Sequence, residues 1–364
     1  MSGSCRAAII PAPNEPVRVV EIPVPDLEPG AAILKTLYSE VCGTDVHLWH
    51  GRLSGVPYPL IPGHVSVGRI AAMNGVIRDL AGEPFREGDL VTFLDVHETC
   101  NACYQCLVNK QTTRCPSRKV YGVTYGANDG PLGGWAELIW MKPGVKLIRI
   151  PAGLEPETFI GGGCGLATSV HAVDRAAIRL GDTVAILGVG PVGQSAIALS
   201  ALSGAAQIVA VGAPDDRLAF ATRMGATATL SLDLPQEARL ERVRQLTGGR
   251  GVDVVIEAAG HPEAVSQALD LVRDGGRVVV VGQYTDHGTI PINPHTQINR
   301  KHVELRGCWG SDYSHFYRAV ELAARFQDRI PWRDMVTGRF GLDQADDALR
   351  QVERRQLLKA LIVP

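Results

Sequence analysis

Along residues 1 to 150, short apolar runs such as AAIIPAP, AAILKTLYS, VGRIAAM and GDLVTFL are broken every few positions by Gly and Pro. That is the spacing of short strands joined by turns and long loops, and it predicts a β-rich domain. Beyond GLEPETFIGGGCG the texture changes. TVAIL (183–187), QIVAV (207–211), VDVVIEAAG (252–260) and RVVVVG (277–282) are continuous apolar runs, as strands buried on both faces require. Between them, 191–203, 215–224, 236–247 and 262–273 have helical periodicity, so the pattern is one of βαβ units around a parallel sheet. YSHFYRAVELAARF and QADDALRQVERRQ read as helices, LKALIVP reads as a closing strand, and this tail is expected to return to the first domain. The predicted fold class is α/β, with a boundary near residues 160–170.

A chain of 364 residues fits two domains better than one. Apolar residues make up 45% and charged ones 20%, with 36 Lys and Arg against 38 Asp and Glu, a formal charge of -2. This is the composition of a globular chain with no basic field for nucleic acid or an anionic membrane. The N-terminus lacks a basic segment leading into an apolar run, and no stretch of about 18 apolar residues appears. Four of the eight cysteines crowd into residues 100–115. The reading is therefore a reduced, metal-binding, cytoplasmic chain without a membrane span.

Thr183–Leu187 runs straight into Gly188-Val189-Gly190-Pro191-Val192-Gly193 and then a helical segment. Strand before and helix after turn a weak G-x-G-x-x-G string into a dinucleotide signature. Gly188 permits the tight turn, Gly190 admits a pyrophosphate to the backbone, and Gly193 lets helix and strand pack closely. Val192 lies inside the turn, where the helix N-terminus presents free N–H groups and positive dipole. The acidic residue that NAD sites carry about 20 positions on falls at Gly212. Arg217 could approach a 2'-phosphate, yet Asp215 and Asp216 stand beside it, so NAD and NADP both remain open.

Cys100, Cys103, Cys106 and Cys115 form C-x2-C-x2-C-x8-C. Four thiolates gathered by short turns match the tetrahedral demand of a structural Zn²⁺, with a redox dithiol or an iron–sulfur cluster as the alternatives. Cys42 in VCGTDVH, His64 in IPGHVSVG and Cys164 in GGGCGLATS are dispersed. Taken singly, each reads as packing.

Together, C-G-T-D-x-H, P-G-H, the four-cysteine loop, Gly-Cys-Gly and G-x-G-x-x-G, in that order, resemble the zinc-dependent medium-chain alcohol and polyol dehydrogenase superfamily over essentially the whole chain. The resemblance implies a GroES-like β-rich catalytic domain (1–164 and 310–364) and a Rossmann doubly wound parallel-sheet domain (165–309). It implies two Zn²⁺ per chain, one structural and one catalytic in the cleft between the domains. Cys42, His64 and Cys164 would hold the catalytic zinc, with a fourth place left for water or the substrate oxygen. Thr44 would take the alcohol proton, His47 would relay it, and Thr168 would lie beside the nicotinamide. The implied reaction is reversible, zinc- and NAD(P)-dependent oxidation of a secondary alcohol or polyol to its carbonyl. Its alternatives are a zinc-free quinone or enone reductase of the same superfamily and a non-catalytic dinucleotide-binding protein.

Relatives commonly carry Glu after the histidine ligand, whereas this chain has Val65, so three ligands and water are expected to serve throughout. The structural loop has eight residues before its last cysteine instead of the usual seven. Cys5 and Cys308 read as ordinary thiols. Trp49, Asp95, His97 and Glu98 are pocket candidates for a bulky alcohol or one with a further polar group, and Trp309 and Tyr313 are candidates to approach the substrate or the cofactor. A homo-oligomer, dimer or tetramer, is expected through the sheet edge near RVVVVG.

Overall fold

The computed structural model describes residues 3–364. They pack as two compact units, one comprising residues through Gly163 with Asp312–Gln327 and Trp332–Pro364, the other Cys164–Ser311 with Asp328–Pro331.

The first unit is built on a seven-stranded sheet whose central member is Ala32–Val41. On one side this strand pairs antiparallel with Ser66–Met73. On the other it pairs with Leu138–Met141 at its start and with the C-terminal strand Lys359–Ile362 at its end. The register sets Leu361 opposite Glu40 and Ala360 opposite Val41. Leu34, Ile70, Val91, Phe93, Tyr121 and Ile139 lie in the core cluster of this unit.

The helix Tyr313–Phe326 returns the chain to this unit. Phe316, Ala319, Val320 and Ala323 are buried, the i, i+3, i+4, i+7 stripe of a helix with one packed face. Asp312 caps it, with Oδ1 accepting from the Ser314 and His315 backbone N–H groups at 3.0 and 3.4 Å and from the Ser314 hydroxyl at 2.7 Å.

The second unit is a six-stranded, all-parallel sheet in the order Ala228–Ser231, Gln207–Gly212, Thr183–Leu187, Val252–Glu257, Val272–Val280, Glu304–Gly307. The strand order reverses between Thr183–Leu187 and Val252–Glu257, and the crevice at such a switch point is where open α/β sheets bind ligands. Both flanking strands are almost wholly buried, which explains their unbroken apolar runs. The RVVVV run lies one strand in from the edge of this sheet. Glu304–Gly307 lies outside it and forms the edge, with a polar composition suited to an exposed strand.

Burial works against the Asp312 carboxylate, but hydrogen bonds from His315 and Ser314 outweigh it and hold the acid well below its usual range. Its share of stability is thus present above the ordinary Asp pKa and lost as pH falls toward the lowered folded value. Asp312→Ala is expected to lower stability by about 1 kcal/mol at neutral pH, with the gap from the parent protein shrinking in acid. Urea unfolding at both pH values checks this.

Candidate functional site

The glycine-rich turn stands at the C-terminal end of Thr183–Leu187, and each glycine has a separate steric reason. Gly188 has φ +105, and a Cβ there would lie 2.7 Å from the Ala258 carbonyl oxygen. A Cβ on Gly193 would sit 1.8 Å from the Gly188 oxygen. Around Gly190 nothing lies within 4 Å of that position, so its backbone faces open space. Gly190 is the N-cap of the helix Pro191–Leu202, whose first residue is the proline that needs no N–H partner. The unpaired N–H groups of this helix start thus stand beside an uncovered backbone, as a pyrophosphate requires. Val192 is half-buried and its carbonyl accepts the Ser169 hydroxyl at 2.8 Å. Thr168, next to Ser169, is half-buried on the same stretch of helix. At the end of the second strand, a Cβ on Gly212 would press on Val189 at 2.4 Å. Arg217 is half-buried in the following helix and its carbonyl accepts Gln194 Nε2 at 2.8 Å.

Cys100, Cys103, Cys106 and Cys115 converge with all their sulfurs within 4.8 Å of one another. Cys100 and Cys115 are 3.6 Å apart, close to the edge of roughly 3.8 Å that Zn–S bonds of about 2.3 Å give in a tetrahedron. Backbone N–H groups of Ala102 and Cys103, with the Cys103 and Cys115 thiols, draw Cys100 down to about 6. Thiolate at neutral pH is the ligand form.

The dispersed residues also converge, and with an addition. Cys42, His64 and Cys164 place one donor atom each within 4.8 Å of one another, and Glu40 joins them. Cys42 is the N-cap of the helix Gly43–Trp49, its sulfur accepting the Thr44 N–H at 3.3 Å. His64 follows Gly63, which has φ +86 and no room for a Cβ, Ser39 Oγ being 2.4 Å from that position. Buried Asp45 ties the two loops together by accepting from Cys42 N at 2.8 Å and Gly63 N at 3.3 Å. Cys164 is joined by one peptide bond to Gly163, where the helix Pro156–Ala176 breaks with φ 48 and ψ −138.

His64 Nε2 is 3.9 Å from Cys42 Sγ and 4.0 Å from Glu40 Oε1. Tetrahedral Zn²⁺ with such ligands needs edges of roughly 3.4–3.8 Å, a few tenths of an ångström shorter than these separations, and two thiols, an imidazole and a carboxylate are the donor types it takes. Burial disfavours the His64 imidazolium, but the charges of Cys42, Asp45 and Asp95 outweigh it and raise the pKa well above its ordinary value. Metal binding must displace that proton. Burial also raises Glu40, with Lys359 the largest of the charges that oppose the shift.

The position after His64 offers no carboxylate, but one stands elsewhere in the donor group. Val65 is fully buried and offers no donor atom, whereas a carboxylate oxygen of Glu40, on the strand Ala32–Val41, lies within 4.8 Å of the Cys42, His64 and Cys164 donors. The available signal was its spacing. Residues two apart on an extended chain share a face, and Glu40 and Cys42 are two apart.

Thr44 and His47 are half-buried on the Gly43–Trp49 helix, three residues apart and so on one face. Asp95 is buried with its charge acting on His64. His97 is committed elsewhere, Nδ1 to the Tyr125 hydroxyl at 2.7 Å and Nε2 to the Pro143 carbonyl at 3.0 Å, and Glu98 is exposed. Trp49 is a packing residue, its Nε1 donating to the Glu15 carbonyl at 2.7 Å with the Arg350 guanidinium over its ring. Trp309 stacks on Tyr284 in the second unit, and Tyr313 on Tyr317 in the first. Cys5 and Cys308 are buried thiols pushed up by desolvation to about 11 and about 12.

This combination of donor sets and glycine turn defines a zinc- and dinucleotide-binding oxidoreductase. Residues 28–152 match the alcohol dehydrogenase GroES-like domain family, and residues 191–325 the zinc-binding dehydrogenase family. The 5-exo-hydroxycamphor dehydrogenase of Pseudomonas putida is 36% identical over 360 residues, 98% of each chain. A solved alcohol dehydrogenase from Thermotoga maritima is 31% identical with a TM-score of 0.94 over 99% of both chains. A zinc-binding dehydrogenase from Sinorhizobium meliloti 1021, solved with NADP bound, is 27% identical with a TM-score of 0.86 over the whole of both. The chain belongs to the zinc-dependent medium-chain alcohol dehydrogenase superfamily. It is an oxidoreductase acting on CH–OH groups, with Zn²⁺ and NAD(P) as cofactors. Among the described residues no helix is long and apolar enough to cross a membrane.

Metal analysis should find two zinc ions per chain, one for each donor group. Cys103→Ser should leave one, with a lower thermal midpoint, because the loop loses a cross-link. Gly193→Ala should cost about 1–3 kcal/mol of stability through overpacking and weaken NAD(P) binding, read by cofactor fluorescence titration.

Proposed function

We propose that this chain catalyses the reversible oxidation of a secondary alcohol, or of a polyol at such a carbon, to the carbonyl. The observation that carries the reading is the four-donor group of Glu40, Cys42, His64 and Cys164. In its metal-bound form the site supplies a Lewis acid that acidifies the alcohol, and the bound nicotinamide supplies the hydride acceptor.

The chain's own residues divide the remaining work. Cys42, His64 and Cys164 hold the metal, and Asp45 keeps the first two loops in register through its two backbone bonds. Thr44 lies two residues beyond Cys42 and receives the hydroxyl proton, while His47, on the same helix face, passes it outward. Gly188, Gly190, Val192 and Gly193 cradle the pyrophosphate, Thr168 lines the nicotinamide end, and Gly212 with Arg217 borders the adenosine ribose. The Pseudomonas putida relative, named for a hydroxycamphor, supports an alcohol borne on a bulky framework. Buried Asp95, whose charge reaches His64, gives that side of the site a polar group for a second substrate function.

A zinc-free reductase would have no use for two thiols, an imidazole and a carboxylate gathered at one point. The same reading includes a homo-oligomer as the working form.

The test is a panel of 5-exo-hydroxycamphor, simple secondary alcohols, sorbitol and threonine, each with NAD and with NADP, read by nicotinamide absorbance. Oxidation of at least one member is expected, with kcat lowered about 10²- to 10⁴-fold in Thr44→Val and largely kept in Thr44→Ser. Reduction of enones or quinones with no alcohol oxidised would refute the proposal.

A further inference from the structure

Glu40 has no exposed surface and Lys359 is 1% exposed, and they meet at 2.6 Å through Glu40 Oε2. The strand register explains the meeting. Leu361 is opposite Glu40, so Lys359, two residues earlier, is its diagonal neighbour on the same face. Lys359 Nζ also donates to the Gly162 and Ile160 carbonyls at 3.2 and 3.3 Å, giving each of its three protons an acceptor. A Cβ at Gly163 would lie 2.2 Å from Glu40 Oε2 and 2.8 Å from Lys359 Nζ. The backbone has therefore been cleared to let this pair sit against the break that leads into Cys164.

The two carboxylate oxygens face different ways. Oε2 is committed to Lys359, whereas Oε1 is 4.0 Å from His64 Nε2, and a Glu40 oxygen lies within 4.8 Å of the Cys42, His64 and Cys164 donors. The position that follows His64 is the apolar Val65.

We propose that Glu40 is the exchangeable fourth ligand of the catalytic zinc, closing the metal's fourth position between turnovers, and that Lys359 is a positioning residue that holds the carboxylate by one oxygen. This rests on the reading of Cys42, His64 and Cys164 as a zinc site. The strand-borne carboxylate would thus take the part that a residue next to the histidine cannot play here. A purely structural partner of Lys359 would have to supply negative charge, but it would not need an oxygen directed at the metal donors.

The experiment follows zinc release from the two-zinc protein into excess 4-(2-pyridylazo)resorcinol, without alcohol, together with the visible absorption of protein carrying cobalt(II) at the site. Glu40→Gln should speed release of the catalytic zinc by about tenfold or more and alter the cobalt bands, while the phase from the four-cysteine loop stays unchanged. Glu40→Asp keeps the charge opposite Lys359 and so keeps the fold, but withdraws the oxygen by one methylene. It too should release zinc faster, at a nearly unchanged thermal midpoint. Adding Val65→Glu to Glu40→Gln should slow release again. Parent-like release and cobalt spectra in both Glu40 variants would overturn the proposal while leaving the zinc site itself intact. A parent protein that holds zinc only in the four-cysteine loop would instead overturn the reading on which it rests.

Discussion

A carboxylate removed from water keeps its charge only if something nearby supplies the opposite one, and for Glu40 that partner is Lys359. The pair lies where three parts of the first unit come together: the end of the central strand, the C-terminal strand beside it, and the carbonyls just before the helix break at Gly163. Breaking a buried pair by removing one partner typically costs about 3–5 kcal/mol, whereas replacing both by apolar groups is often neutral. Stability alone therefore does not account for it. Its position does, because the same strand delivers Cys42 two residues later and the same break delivers Cys164.

The two metal sites differ in how they are assembled. The four-cysteine loop closes within sixteen positions of sequence, so local turns suffice to gather its sulfurs. Cys42, His64, Cys164 and Glu40 come from a strand end, a glycine turn and a broken helix, and they meet only because the sheet is formed. Asp45, buried and bonded to the backbone of two ligand loops, couples folding to site geometry in a way that no short motif can. The dinucleotide turn is intermediate. Its glycines are local, yet the reason for Gly188 is a carbonyl of Ala258, just past the neighbouring strand Val252–Glu257.

These differences set what could be read from the chain. Continuous apolar strands, the G-x-G-x-x-G turn in its strand–helix setting, and the cysteine spacing each carry their own local physics, and all three were legible. Glu40 was not, because one acid in AILKTLYSEV looks like a solvated strand residue until Lys359 is brought opposite it from more than 300 positions away. The edge strand Glu304–Gly307 is not legible because its polar sequence has the composition of a loop, although it covers the apolar RVVVV run. His97 and Trp49 are polar or aromatic residues near the right motifs, but their hydrogen bonds are spent on the scaffold. Chemical type marks a candidate, and only the partners decide whether it is free to act.

Catalysis of the proposed kind requires a metal at the dispersed donors. Anomalous scattering at the zinc edge from crystals grown without alcohol measures this. Two peaks per chain are predicted, one among the four clustered cysteines and one about 2.0–2.3 Å from Cys42 Sγ, His64 Nε2 and Cys164 Sγ, with a Glu40 oxygen on its open side. A single peak at the four-cysteine loop, with His64 and Cys164 turned apart, would contradict it.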